Sequence, residues 1–168
     1  IIWPRGKALG GSSSINWMIY IRGVPLDFAA WEQAGAKGWS WEDVLPYFVK
    51  AERQQTFDDS LHGSEGPLHV QDVVDKRPIH ETFLDAMEEQ GVPRNADFNG
   101  VDQAGCGYYQ FTQKNGRRWS AASAYLNPAR GRSNLDIKTN VQTQRIIFEG
   151  KKTIGVAVSY THLTLPTI

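Results

Sequence analysis

The sequence predicts a mixed α+β fold, because segments of helical period and runs of β-forming residues both occur along the chain. Three segments, near 27–35, 40–52 and 78–90, place apolar residues three or four positions apart, as one face of an amphipathic helix requires. Runs at 108–112 and between 134 and 159 are rich in β-branched and aromatic residues and are bounded by turn residues. We therefore expect helices to dominate the first part of the chain and strands its end.

The stretch from Gly6 to Asn16, which we call the glycine corner, precedes all of these elements. It contains the pair Gly10 and Gly11, followed by Ser12 and two further serines. Adjacent glycines let the backbone take positive φ and approach a ligand closely, and a serine can cap a helix that begins there. Amides at such a helix start bind anions, and we expect Asn16 inside this helix, facing the same ligand. The alternative is a Gly/Ser turn that only joins two elements.

Two helices are predicted after the corner. The apolar run Ile15–Ile21 suits either a buried helix or a buried strand at this length. The first helix covers 27–35, with Phe28 and Trp31 on one face and Trp31 in the core.

A capping-box pattern at Ser40–Asp43 begins the second helix, which we expect to reach about Glu52. Pro46 lies inside it, and we expect a kink or a restart there because proline donates no hydrogen bond.

Residues 54–66 read as a loop and 67–70 as a short edge strand. A third helix opens at Pro78, and its apolar face is expected to pack against a sheet. That face comprises Ile79, Phe83, Leu84 and Met87. A strand at 108–112 then leads to an Asn-Gly turn at 115–116.

A further helix is predicted after Arg117 and Arg118, with a serine as its N-cap and Pro128 as its end. Its start therefore lies close to two positive charges. On the residues alone, a salt-bridged surface turn is favoured over a phosphate clamp. Three β-rich runs follow, at 134–139, 141–148 and 153–159. The last two are predicted to form a hairpin through 149–152.

Composition excludes several classes of function. Lys plus Arg and Asp plus Glu both total 18, so no net charge attracts nucleic acid, and we expect a small-molecule ligand. Cys106 is the only cysteine, which excludes an internal disulfide and favours a reducing, cytoplasmic compartment. No apolar run approaches the ~20 residues of a membrane helix, and no secretory leader is evident.

The four histidines, at 62, 69, 80 and 162, show no metal-ligand spacing, so we expect no metal site and place them at the surface or in turns. The chain begins in mid-motif at Ile1, and we expect a piece of a longer protein. The tail at 161–168 breaks the preceding pattern and carries no functional prediction.

The run Pro4–Asn16, continued by Tyr20, Arg22, Gly23 and Asp27, resembles the first signature of the glucose-methanol-choline (GMC) flavoprotein oxidoreductases, in particular their choline and alcohol dehydrogenase branch. The run 117–126 resembles the family's Gly-x-Arg-x-Ser segment, which returns the chain to the flavin-binding part. The resemblance implies an α+β fold with a partial FAD-binding α/β domain, at 1–22 and 117–160, and part of a substrate-covering α+β domain at 23–116.

The resemblance also implies FAD as cofactor and a small-molecule alcohol, choline or another primary alcohol, as substrate. Hydride would pass from the CH–OH group to the flavin, while a histidine beyond this chain takes the proton. FAD should be bound non-covalently, because Ile15 stands where some members carry a tethering histidine. The positions carried over to the cofactor are Gly10, Gly11, Ser12, Asn16, Trp17, Met18, Ile19 and Thr143.

Within the site, Gly10, Gly11 and Ser12 would meet the phosphate region and Asn16 would hydrogen-bond the cofactor. Residues 17–19 would run beside the isoalloxazine, and the backbone at Thr143 would meet the adenine. No catalytic residue is assigned within this chain, which alone should be inactive. The alternatives are a flavin-containing lyase of the same family and a non-enzymatic globular domain.

Overall fold

The computed structural model describes residues 1–160, so the tail 161–168 and His162 lie outside the described residues. Contacts divide the chain into two units, residues 1–130 and the part from Gly131 onward. The first unit contains a 3₁₀ turn Gly11–Ser14, β1 Ile19–Tyr20, α1 Pro25–Gln33, α2 Trp41–Ala51, β2 Glu52–Gln54, β3 Leu68–Val70, α3 Pro78–Glu89, β4 Gln110–Phe111, β5 Gln113–Lys114, β6 Arg117–Arg118, a π-helical turn Ala122–Leu126 and α4 Asn127–Ala129. The second contains β7 Val141–Glu149 and β8 Lys152–Tyr160. The α+β class predicted from the sequence is confirmed.

Short strand pairs bring the glycine corner beside the segment that begins at Arg117. Strand β1 runs antiparallel to β4, with Ile19 opposite Phe111. The Thr112 amide then donates to the Met18 carbonyl over 2.8 Å, and the Trp119 amide donates to the Thr112 carbonyl over 2.9 Å. The chain before Ile19 and the chain after Trp119 therefore lie side by side.

The predicted hairpin turn at 115–116 is confirmed. Strands β5 and β6 pair antiparallel, and the turn between them places Asn115 at φ 51° and Gly116 at φ 71°. Positive φ at both central positions is what a type I′ turn requires, and Asn-Gly is its preferred sequence. This turn fixes where β6, and with it Arg118, leaves the hairpin.

Helix α2 begins at the predicted capping box and does not restart at Pro46. Ser40 Oγ accepts the Asp43 amide at 3.2 Å, and Asp43 Oδ2 accepts the Ser40 amide at 3.2 Å. The helix runs unbroken from Trp41 to Ala51. Phe28 of α1 lies 5.6 Å from the Trp41 ring and 5.9 Å from the Phe48 ring, so it packs against α2 on both sides of the proline.

Two predictions of buried helical faces are wrong in part. Trp31 is 51% exposed, although its ring packs edge-on against Phe28 at 5.4 Å. On α3 only Leu84 is fully buried, whereas Ile79 and Phe83 are 70% and 62% exposed. The stripe on α3 lacks a covering layer within the described residues except at Leu84, whereas α1 is covered by α2 at Phe28 and open at Trp31.

Pro128 does not halt the last helix of the first unit. The chain passes from the π-helical turn Ala122–Leu126 directly into α4, where Pro128 occupies the second position. A proline is tolerated there because amides in the first turn of a helix need no partner within that helix. The predicted stop is therefore wrong by a few residues.

The second unit confirms the predicted hairpin and contradicts the strand before it. Strands β7 and β8 pair antiparallel over nine residues each, with a turn through Gly150 at φ 59°. Residues 134–139 form no strand, because no neighbouring strand within the described part of the chain pairs with them. The domain boundaries proposed above stay predictions.

A buried ionic network lies at the centre of the first unit. Glu52 is fully buried and accepts from Arg22 Nη2 at 2.7 Å and from the Gly63 amide at 3.0 Å. His62 and His69, predicted at the surface or in turns, are both buried. His62 faces Glu52, and His69 of β3 meets the Trp119 ring edge-on at 5.0 Å. None of the helices in residues 1–160 has the length and apolar character needed to cross a membrane.

Candidate functional site

The glycine corner folds into a single 3₁₀ turn, so the prediction of a helix carrying Asn16 is wrong. The turn covers Gly11–Ser14, and Asn16 lies beyond its end. Four residues build no extended dipole, and the Gly11 amide already donates to the Ala8 carbonyl at 2.9 Å. Any anion binding here therefore depends on individual amides and hydroxyls.

The two adjacent glycines have different environments. A Cβ on Gly10, which has φ 90°, would lie 2.5 Å from Ser14 Oγ and 3.2 Å from Ser120 Oγ. A Cβ on Gly11, at φ 56°, would meet no atom within 4 Å among the described residues. Gly10 is therefore required for packing against the segment near Ser120, whereas Gly11 faces open space from which a ligand can approach.

The three serines of the turn make different contacts. Ser13 Oγ donates to the Gly10 carbonyl and accepts the Ala121 amide at 2.8 Å. Ser14 Oγ donates to the Leu9 carbonyl at 2.7 Å. Ser12 is exposed, and its Oγ accepts the Gly6 amide over 3.3 Å. The Ser12 amide donates to no acceptor within residues 1–160, so Ser12 has both an amide and a hydroxyl hydrogen available to a ligand.

Arg118 connects the two helix starts that the sequence singled out separately. Its Nη1 donates to the Ser13 carbonyl at 3.0 Å and to Asn16 Oδ1 at 2.7 Å. The prediction of a salt-bridged surface turn is therefore wrong for Arg118, because its guanidinium bonds uncharged oxygens of the glycine corner. Sequence reasoning missed this link because the partners lie 102 residues apart.

After the corner only Ile19–Tyr20 form a strand, and several residues of the run are exposed, so the buried helix or strand predicted for 15–21 is wrong. Trp17 is 85% exposed, and Ile19 is 38% exposed although it belongs to β1. Met18 has φ 64°, which is uncommon for a residue other than glycine. Its amide donates to Asn16 Oδ1 at 3.1 Å and its carbonyl accepts from Thr112, so both neighbours hold the unusual conformation.

Exposed apolar side chains surround the corner. They are Ile1, Ile2, Trp3, Leu9, Ile15, Trp17, Ile19 and Ile21. Exposed apolar side chains next to a backbone amide without an acceptor suit a ligand that has an aromatic part and a phosphate part. The residues present therefore fit a dinucleotide cofactor.

Thr143 belongs to the second unit. It lies in β7 opposite Val158, and the pairing register shifts between Thr143 and Arg145. A bulge of this kind frees backbone groups from the ladder. The adenine contact at Thr143 stays a prediction.

A second cluster of ionisable residues surrounds His62. Its Nδ1 lies 3.2 Å from Glu52 Oε2, and its Nε2 lies 2.9 Å from Asp97 Oδ2. Burial alone lowers the pKa of His62, but the hydrogen bonds and charges of Glu52 and Asp97 outweigh burial, and the pKa is raised. The folded protein therefore stabilises the protonated imidazole more than an unfolded chain does.

The same cluster contains a set of potential metal ligands that the sequence spacing did not reveal. Ligand atoms of Asp59, His62 and Asp97 lie within 4.8 Å of one another. Arg22 and His62 already pair with the carboxylates of Glu52 and Asp97 within this cluster. We interpret the cluster as a structural ion-pair network.

Comparison with known proteins identifies the family of this chain. Residues 1–166 match the family described as GMC oxidoreductase. The chain is 48% identical over 158 residues to an alcohol dehydrogenase [acceptor] of Pseudomonas putida, covering 94% of this chain and 29% of that protein. It is 42% identical over 156 residues to the mitochondrial choline dehydrogenase of Homo sapiens, covering 93% and 26%.

Solved structures agree with this match. The fold superposes on pyridoxine 4-oxidase from Mesorbium loti with a TM-score of 0.86 and 35% identity, covering 95% of this chain and 32% of that one. An FAD-dependent oxidoreductase from Chaetomium thermophilum gives a TM-score of 0.85 and 28% identity, covering 93% and 29%. The chain thus spans less than a third of each of these proteins. With the matched family, the sequence identity and the shared fold, the chain belongs to the GMC oxidoreductase family.

Proposed function

We propose that this chain is part of an FAD-dependent oxidoreductase that transfers hydride from the CH–OH group of an alcohol, choline or another primary alcohol, to the flavin. The relatives named alcohol and choline dehydrogenase support the substrate class. Because the chain spans 29% of the first of these relatives, the activity is proposed for a longer protein that contains it.

The observation that carries the proposal is the open side of the glycine corner. Gly11 has free space where a side chain would lie, and the Ser12 amide beside it has no acceptor in the described residues. A phosphate can approach such a backbone closely and accept hydrogen bonds from its N–H groups. Gly10 sets the path of the backbone on the protein side by packing against Ser120.

The other residues have proposed roles on either side of this phosphate contact. Asn16 is proposed to hydrogen-bond the cofactor, and residues 17–19 to lie against the isoalloxazine, where the exposed Trp17 and Ile19 would lose water. The backbone at Thr143 is proposed to meet the adenine. When bound, FAD supplies the hydride acceptor, while the protein orients it and excludes water.

We propose that FAD is held without a covalent bond. Ile15 is an unreactive hydrocarbon and is exposed beside the corner. The proton-accepting base is proposed to lie outside this chain. His62 does not serve, because its ring nitrogens are engaged by the carboxylates of Glu52 and Asp97.

The proposal is tested in the full-length protein by measuring FAD content after purification, with Ser12→Ala and Asn16→Ala as variants and Ser64→Ala as the matched surface control. We expect both corner variants to lose FAD and the control to keep it, and we expect acid denaturation to release all flavin from the wild type. Unchanged FAD in both corner variants would favour the alternative in which the corner is only a turn.

Turnover of the same preparation separates the enzyme classes. Flavin reduction by choline or a primary alcohol in the absence of oxygen supports the oxidoreductase. Bound FAD that no alcohol reduces would favour the lyase of the same family.

A further inference from the structure

The side-chain amide of Asn16 is held at one end and open at the other. Arg118 Nη1 and the Met18 amide both approach the same atom of Asn16, at 2.7 and 3.1 Å. A guanidinium and a backbone N–H can only donate, so the atom between them is the oxygen, Oδ1. The nitrogen Nδ2 is thereby turned to the other side, where it donates to no acceptor among residues 1–160.

We infer that Arg118 is a positioning residue for the flavin: it fixes the rotation of the Asn16 amide so that Nδ2 presents its hydrogens to an acceptor atom of the bound cofactor. This inference rests on the proposed function, because it takes FAD as the ligand of Asn16. Without the guanidinium, the amide can turn by half a rotation and present oxygen to an acceptor, which is repulsive.

Arg118 is better suited to this task than the local chain. The Met18 amide belongs to a residue two positions away and follows any movement of the corner. Arg118 comes from β6, whose position is set by the Asn-Gly hairpin, and it also holds the Ser13 carbonyl at 3.0 Å. A charged donor makes the stronger bond, so it decides which end of the amide turns inward.

The test is a double-mutant cycle on FAD affinity in the full-length protein, with the dissociation constant of FAD measured on the apoprotein. The variants are Asn16→Ala, Arg118→Met and the two combined, and Arg117→Met is the control because Arg117 is exposed on the same strand. Losing one hydrogen bond that involves a charged group weakens binding by about tenfold or more. We expect such a loss from each single change, no further loss in the double variant, and none from Arg117→Met.

Two conservative changes sharpen the result and cover the case in which Arg118→Met does not fold. Arg118 uses one nitrogen for both contacts, so Arg118→Lys can replace them and should restore most of the affinity. Asn16→Asp keeps a partner for Arg118 but removes the Nδ2 donor, and it should bind FAD no better than Asn16→Ala. Melting of each apoprotein identifies variants that fail to fold.

The outcomes separate the inference from the proposed function. Losses that add up in the double variant, or an Arg118→Lys variant that folds but binds as weakly as Arg118→Met, overturn the inference and leave FAD binding at the corner intact. A wild type that binds no FAD, or an Asn16→Ala variant that binds it as well as the wild type, overturns the proposed function at this site.

Discussion

At the scale of single residues, Gly10 and Gly11 show how adjacent identical residues can serve different purposes. Gly10 has no space for a side chain because Ser14 and Ser120 occupy it. Gly11 has space for a side chain, and in the proposed function the ligand occupies that space. Positive φ accounts for a glycine at both positions, and the space beside Gly11 is what the proposed function adds.

We predict that Gly10→Ala lowers the free energy of unfolding of the apoprotein by about 2 kcal/mol or more, because a strained φ and a steric clash add. Gly11→Ala should cost only about 1 kcal/mol, since it meets the φ strain alone. For FAD binding we expect the opposite order. Gly11→Ala should weaken FAD affinity more than Gly10→Ala does, although the Gly11→Ala apoprotein stays folded. Denaturant unfolding and FAD titration of the two variants measure this, and equal stability costs would contradict it.

His62 should make the stability of the fold depend on pH. The pKa of His62 is raised in the folded protein, so binding of this proton stabilises the fold. The stabilisation is complete at pH values below the unfolded-state pKa of 6.5, and it is lost as the pH rises through the pKa of the folded state. His62→Gln should therefore cost most near pH 6 and less as the pH increases. His69, whose pKa is lowered mainly by burial and also by Lys114 and Arg53, is present in both proteins and cancels in the difference.

The measurement is the melting temperature of wild type and His62→Gln between about pH 5.5 and 8.5, a range set by the ordinary pKa of histidine. A difference that narrows with increasing pH is expected. A difference that stays constant or widens would show that His62 is not protonated in the folded state.

At the scale of elements, local signals predicted the fold well where a few adjacent residues decide the conformation. The Ser40–Asp43 capping box and the Asn115–Gly116 turn are both confirmed. Partners far apart in sequence were not predictable, since no local pattern encodes the contact of Arg118 with Asn16 or of His62 with Asp97. The corner itself was found from its glycines, but its close packing against Ser120 joins residues 110 positions apart and was not predictable from them.

Ser40 allows a direct test at this scale. Its hydroxyl accepts the Asp43 amide, so Ser40→Ala should lower the free energy of unfolding by about 1 kcal/mol. Ser64→Ala, in an exposed turn, serves as the control and should change stability by less than about 0.5 kcal/mol. Equal effects of the two changes in denaturant unfolding would contradict the role of the cap.

At the scale of the whole molecule, the exposed apolar surface indicates what the chain lacks by itself. Both units leave large apolar side chains in water, including Trp3 and Trp17 in the first and Ile146 and Phe148 in the second. These surfaces are expected to be covered in the longer protein, since the chain spans 29% of an alcohol dehydrogenase relative. Sequence periodicity predicted apolar faces but not which of them this chain covers by itself.

We predict that the isolated chain neither retains FAD nor oxidises alcohols, because it presents only part of the proposed site. Gel filtration of the purified chain with added FAD should separate protein from flavin absorbance. Flavin that travels with the protein peak would contradict this prediction, and the full-length protein run in parallel is the positive control.

The central claim, that the open side of the glycine corner receives the phosphate bridge of FAD, is tested most directly by a crystal structure of the full-length protein purified with its cofactor. We expect the pyrophosphate against Gly11 and the Ser12 amide, with Asn16 Nδ2 donating to the same cofactor. A structure in which other protein side chains fill that space, with the flavin elsewhere or absent, would contradict the claim.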